Sequence, residues 1–215
     1  MGSVTEQVWR EKFEERKTLY LKNPLEFYDE RYFRKRLKMR AWEMEAGKIV
    51  SNLFDIKSMI DFGCAWGSYL EGALTAKTKK VLGVDICYDH IIKYVPEHVK
   101  KFIIQGNVAS YLNYGKWDCA FSIETAEHLL PKEIPTYLEN LKRASSRLII
   151  MTAAASYNLH HLNPATTREY WTERLVNIGC TYLPKEGERL AKAWRAKRNI
   201  GRRIRKTIMV FNIRI

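Results

Sequence analysis

The chain has 215 residues, 46% of them hydrophobic, and a formal net charge of +13. That is enough apolar material for one good core in one domain with at most a small appendage, while its longest apolar runs, such as 148–151, are far too short to span a bilayer. No signal-peptide pattern opens it, and Cys64, Cys87, Cys119 and Cys180 have neither C-x-x-C nor zinc spacing, which sets aside a disulfide scaffold or zinc module and leaves the expectation of a cytoplasmic protein with reduced thiols.

The charge is uneven. Residues 31–40 hold Arg31, Arg34, Lys35, Arg36, Lys38 and Arg40 with no acid, and residues 185–206 hold ten Lys or Arg against Glu186 and Glu188. Outside these two stretches the chain is close to neutral. Localised positive charge fits an anionic partner, whether nucleic acid, phosphorylated metabolite or membrane surface; it also fits the solvated helix faces of a basic protein.

Taken in chain order, residues 4–17 place Val8, Trp9 and Phe13 among charges and predict an amphipathic helix outside the main core, broken at Asn23-Pro24. Phe27, Tyr28, Tyr32 and Phe33 follow as an aromatic cluster inside the first basic stretch, and 37–54 is a long helical pattern. A short buried strand is expected at 58–62, a tight turn from Gly63 to Gly67, and a helix at 69–77. Beyond it, apolar runs alternate with helical patterns: 81–84 then 88–94; 102–104; 117–123 then 136–143; 147–151 then 167–177. Alternation of this kind predicts an α/β fold, a parallel sheet with helices on both faces. Residues 180–183, a basic helical stretch and 207–215 supply the last two strands.

The turn carries the chemistry. Glycines at a strand's carboxyl end let backbone approach a ligand closely, the usual place for a small molecule in such a sheet. G-x-G-x-x-G is absent, which argues against a nicotinamide oxidoreductase. Instead Asp61-Phe62-Gly63-Cys64-Ala65-Trp66-Gly67 resembles motif I of the Rossmann-like S-adenosylmethionine (SAM) dependent methyltransferases, D-x-G-C-x-x-G. The next apolar run ends in Asp85, 22 positions after Gly63, where a carboxylate can accept from both ribose hydroxyls of a nucleoside. Gln105-Gly106-Asn107-Val108 stands where that family usually has an acid facing the adenine amino group; Asn107 departs from it, though an amide also pairs with adenine.

The resemblance implies a seven-stranded sheet ending in an antiparallel hairpin, with 1–54 as a helical extension lidding the cofactor and 55–215 as the SAM-binding domain. By motif it assigns SAM binding to Asp61, Gly63, Cys64, Ala65, Gly67, Asp85, Ile86, Asn107, Val108 and Ser122.

The fourth strand runs into Glu124-Thr125-Ala126-Glu127-His128. If the chain turns helical at Glu124, then Glu124, Glu127 and His128 share one face of a turn, and the fifth strand leads toward His160 and His161. Carboxylates with imidazoles suit a divalent ion with open positions. The E-x-x-E-H arrangement is similar to that of the methyltransferases of small-RNA 3′ ends and of the ubiquinone-pathway catechol O-methyltransferases. Transferred by motif, Glu124, Glu127, His128 and His161 are ligands for Mg2+ or Mn2+, His160 is a substitute, and His128 and His161 are the catalytic pair. The bland alternative is a Glu-His-Leu that shapes the pocket or caps a helix without metal, as in many related enzymes; His90 and His98 read as surface histidines. An Asp-Pro-Pro-Tyr-like tetrapeptide and a Pro-Cys nucleophile are both missing after the fourth strand, which argues against DNA-base methylation. The expected function is methyl transfer from SAM to a hydroxyl oxygen of an anionic small molecule or RNA. The rival is a non-catalytic nucleic-acid-binding protein on the same scaffold.

Overall fold

The computed structural model describes residues 4–23, 26, 28–111, 113–154, 160–163, 167–197 and 202–213. Pro24, Phe27, residues 198–201 and 214–215 and the side chain of Trp9, all used in the sequence reading, lie outside the described part.

Seven strands form a single sheet in the order β3-β2-β1-β4-β5-β7-β6: β1 (Ser58–Phe62), β2 (Lys80–Asp85), β3 (Ile103–Gln105), β4 (Trp117–Ile123), β5 (Ser145–Thr152), β6 (Cys180–Tyr182) and β7 (Met209–Ile213). The five strands from β3 to β5 are parallel, and β7 inserts antiparallel between β5 and β6. The α/β architecture and the terminal hairpin are those expected from the sequence. Successive side chains on a strand point to opposite faces, so Met59 and Ile60 of β1, and Ala120 and Phe121 of β4, feed two separate cores. Both faces are covered, which explains runs that are apolar throughout rather than alternating.

The helices are α1 (Val4–Lys22), α2 (Glu30–Arg36), α3 (Arg40–Leu53), α4 (Ser68–Leu74), α5 (Tyr88–Ile91), α6 (Glu97–Lys100), α7 (Ile134–Ala144), α8 (Arg168–Asn177), α9 (Pro184–Arg195) and α10 (Arg202–Thr207). Helix α2, which the sequence reading treated only as a basic aromatic stretch, starts at an Asp29 cap whose carboxylate accepts from the Tyr32 amide at 2.8 Å. The long helical pattern from 37 resolves into a 3-10 turn, Leu37–Met39, and then α3. Helix α1 runs past the expected 4–17, and the added turn places Tyr20, 5% exposed, in the core.

Helices α3 and α4 cross backbone to backbone. A Cβ on Gly47 would lie 2.0 Å from the Tyr69 carbonyl oxygen, and one on Gly72 would lie 1.8 Å from that of Met44. The crossing tolerates no side chain at either position, and it fixes the segment before β1 against the helix that leaves the glycine turn. Among the described residues no helix is long and apolar enough to cross a membrane. All four cysteines are free and buried.

Candidate active site

Because β3, β2, β1 and β4 are neighbours in that order, their carboxyl ends set Asn107, Asp85, the Gly63–Gly67 turn and Glu124–His128 side by side. One cleft runs along them. Its walls include Gly63, Cys64, Ala65, Asp85, Ile86, Asn107 and Val108 at one end and Ile123, Glu124, Thr125 and His128 at the other. A further wall comes from the segment before β1, with Tyr20, Tyr28, Tyr32, Phe33, Arg36, Trp42 and Glu43, joined by Ile204 of α10.

The turn is built on left-handed backbone at Gly63 (φ 77°), Ala65 (φ 45°) and Gly67 (φ 72°). The Gly63 and Cys64 amides both donate to Val84 O, at 2.8 and 3.2 Å. A Cβ at Gly63 would meet Thr125 Oγ1 at 2.4 Å, so in this structure the missing side chain makes room for the turn after β4. Ala65 N donates to Asp85 Oδ2 and Cys87 N to Asp85 Oδ1, each at 2.8 Å. The Asp85 carboxylate is thereby fixed on the cleft wall, and each oxygen keeps a further lone pair for a diol. Burial raises its pKa, and the two amides oppose that rise.

Three residues assigned to SAM by motif do not line the cleft. Asp61 is 1% exposed below the turn and its Oδ2 is buried without a hydrogen-bond partner among the described residues; burial, then Asp85 and Glu43, pushes its pKa far up. Ser122 is fully buried, donates to Phe62 O and accepts from Tyr137, both at 2.8 Å. Gly67 heads α4 and faces Ile103 and Val99. These residues support the turn from behind. Asn107 lines the cleft, with Oδ1 accepting from Ala109 N at 2.9 Å.

At the other end the chain does not turn helical at Glu124, which has φ 54°. Its amide donates to Thr152 O and Oγ1, and the Thr152 hydroxyl donates back to Glu124 Oε1 at 3.0 Å. A 3-10 turn begins two residues later, Ala126–His128. Glu124 therefore stands apart, whereas Glu127, His128 and His161 each bring one ligand-capable atom within 4.8 Å of the others. His128 lines the cleft and is half-buried; Glu127 and His161 are buried behind it.

His128 Nδ1 lies 2.8 Å from His160 O. A carbonyl only accepts, so Nδ1 carries the proton and Nε2 presents a lone pair. Burial first, then His161, drives the His128 pKa well below the ordinary imidazole value, with the His160 carbonyl opposing; the ring is neutral. His160, expected as a substitute ligand, contributes its backbone carbonyl instead, and its ring packs on Tyr32 at 4.7 Å and Tyr28 at 6.0 Å between centroids. Tyr28 stands edge-on to His128 at 5.5 Å.

Glu43 and Trp66 were missed as site residues. Trp66 Nε1 in the turn donates to Glu43 Oε2 of α3 at 2.8 Å. The two are 23 positions apart, and no local pattern announces the pair.

No family model matches the sequence, and no curated protein matches it. Solved structures do. The plantazolicin methyltransferase BpumL in complex with SAH matches 99% of this chain and 100% of its own at 12% identity with a TM-score of 0.63. The methyltransferase domain of bacterial CtHen1-CN matches 80% of this chain and 98% of its own at 20% identity with a TM-score of 0.52. The fold is that of the SAM-dependent methyltransferases. Other matches are partial: this chain spans only 52% of DesVI from Streptomyces venezuelae (14% identity, TM-score 0.44) and 51% of a SAM-dependent methyltransferase from Clostridium acetobutylicum (10% identity, TM-score 0.45). At such identities the likeness is one of fold, and function rests on the cleft.

Proposed function

We propose that the protein is a SAM-dependent methyltransferase acting on a hydroxyl oxygen, with Glu127, His128 and His161 holding a divalent ion. The observation that carries this reading is the single cleft joining Gly63, Ala65, Asp85 and Asn107 to His128. The residues fit SAM: a fixed carboxylate for the ribose at Asp85, apolar Ile86 and Val108 for the adenine faces, and the Asn107 amide for its edge. SAM would supply an electrophilic methyl group at a sulfonium centre. The donor set also fits a divalent ion, since one carboxylate and two imidazoles leave coordination positions open, and the His160 carbonyl fixes the His128 tautomer from the second shell. A bound divalent ion would supply Lewis acidity, making the acceptor hydroxyl easier to deprotonate.

The chain's own contribution is positioning and proton handling. Transfer requires an oxygen lone pair in line with the departing sulfur, and the aromatic wall of Tyr28, Tyr32 and Phe33 restricts how an acceptor approaches. His128 has one free lone pair, on Nε2, because Nδ1–H is committed to the His160 carbonyl; it serves the ion where one is bound and, without an ion, accepts the hydroxyl proton as transfer proceeds. Exposed Arg31, Arg34, Lys35 and Lys38, with Lys192 and Arg195 on α9 and Lys197 just past its end, favour an anionic acceptor, a small molecule or RNA.

Isothermal titration with S-adenosylhomocysteine, repeated after EDTA and with added Mn2+, tests the reading. The expected result is cofactor-product binding to wild type and separate Mn2+ binding that Glu127→Gln abolishes. Salt-sensitive nucleic-acid binding without any binding of S-adenosylhomocysteine would replace it with a non-catalytic scaffold; Mn2+ binding unchanged in Glu127→Gln would remove the metal site.

A further inference from the structure

The cleft holds charges that the ribose, the adenine and the acceptor do not use. Among the described residues lining it, Arg36 of α2 is the one Lys or Arg, in a cleft also lined by the carboxylates Glu43, Asp85 and Glu124. Arg36 is half-buried. It donates through Nη1 to the Tyr32 hydroxyl and lies over that ring, with its guanidinium carbon 5.3 Å from the centroid. Among the described residues it makes no ion pair, although a guanidinium has five N–H donors and is always charged. Taking such a charge out of water is costly unless an anion meets it.

Its place narrows the choice of anion. Arg36 and Glu43 feel each other's charge, and Glu43 accepts from Trp66 inside the glycine turn. The order of strand ends puts adenine at Asn107 and ribose at Asp85, so whatever extends from the ribose 5′ carbon crosses the β1 turn on its way to β4. In SAM that portion is an amino acid bearing one carboxylate and one ammonium group.

Resting on the SAM reading above, we infer that Arg36 binds the carboxylate of the cofactor's amino-acid end, beside the acidic group of Glu43. The N-terminal segment thus recognises the amino acid while the sheet recognises the nucleoside. A guanidinium pairs with a planar carboxylate through two parallel hydrogen bonds, which a lysine ammonium does not reproduce.

The probes that separate the two halves of the cofactor are S-adenosylhomocysteine, which keeps the amino acid, and 5′-methylthioadenosine, which has the nucleoside and sulfur without it. Titrated into wild type, both bind. In Arg36→Gln, S-adenosylhomocysteine is expected to weaken by about 10- to 100-fold, the range of a hydrogen bond to a charged group, while 5′-methylthioadenosine changes by less than about twofold, which also shows that the cleft has folded. Arg36→Lys should restore part of the loss. Equal weakening of both probes in Arg36→Gln, or weakening of neither, overturns the assignment to Arg36 alone. Wild type that binds neither probe overturns the SAM reading beneath it.

Discussion

The two ends of the cleft are built in opposite ways. The end proposed for the cofactor comes from short segments that each leave the carboxyl end of a parallel strand: Gly63–Ala65 and Asp85–Cys87, tied by backbone amides to Val84 O and the Asp85 carboxylate, and Asn107–Val108, whose preceding Gly106 amide donates to Asp85 O. The acceptor end is assembled over long range. His128 needs the carbonyl of His160, 32 residues away, and is covered by Tyr28, which donates to that same carbonyl at 3.4 Å across 132 residues. A strand end fixes its ligand group by local geometry, whereas an assembled wall depends on every element that contributes to it.

That contrast predicts separable failures. His128→Ala should lower methyl transfer by about 10²- to 10⁴-fold, the usual worth of a positioned acid–base group, while leaving the affinity for S-adenosylhomocysteine within about threefold of wild type by titration. A matching loss of affinity would mean that the two ends are one unit. Asp85→Asn should do the reverse, weakening S-adenosylhomocysteine by about 10- to 100-fold, from the ~1.5–3 kcal/mol of a hydrogen bond to a charged group. Unchanged affinity in that variant would remove Asp85 from the ribose site.

The smallest effect is on stability with pH, and it belongs to the acceptor end alone. Burial lowers His128 well below the ordinary imidazole value and takes His160 down to about 4. Between those values and about 6.5, where an unfolded imidazole titrates, the unfolded chain binds protons that the folded one refuses, so stability falls as pH falls. Thermal melts should therefore show wild type losing a few degrees relative to the His128→Asn/His160→Asn variant as pH drops from about 6.5 toward 4. The raised Asp61 and Asp85 act in the opposite direction in both proteins and cancel in the difference. A pH-independent difference would show that these rings are solvated.

Much of the cofactor end could be read from the sequence, because glycine spacing and a strand-terminal acid are local signals. Cys64, Ala65, Ile86, Asn107 and Val108 line the cleft where the motif put them, and Asp61, Gly67 and Ser122 sit directly behind it. The acceptor end was legible in part: of the four residues put there by motif, Glu127, His128 and His161 come together and Glu124 does not. The E-x-x-E-H spacing suggested one helical face, but Glu124 has left-handed backbone bonded to Thr152 and falls outside the group formed by Glu127, His128 and His161. Periodicity along one segment carries no information about a hydroxyl on the neighbouring strand.

The sequence by itself determined the alternation of strands and helices, hence a parallel sheet with a ligand turn after β1, because burial on both faces demands apolar strands and a tight turn demands glycine. Only the tertiary structure decided which charges share the cleft. Arg36, Glu43 and Trp66 meet there because Gly47 and Gly72 let α3 and α4 touch backbone to backbone, bringing the N-terminal segment over the strand ends. That contact depends on the distance between two helices, and distance between remote segments is what a linear pattern does not contain.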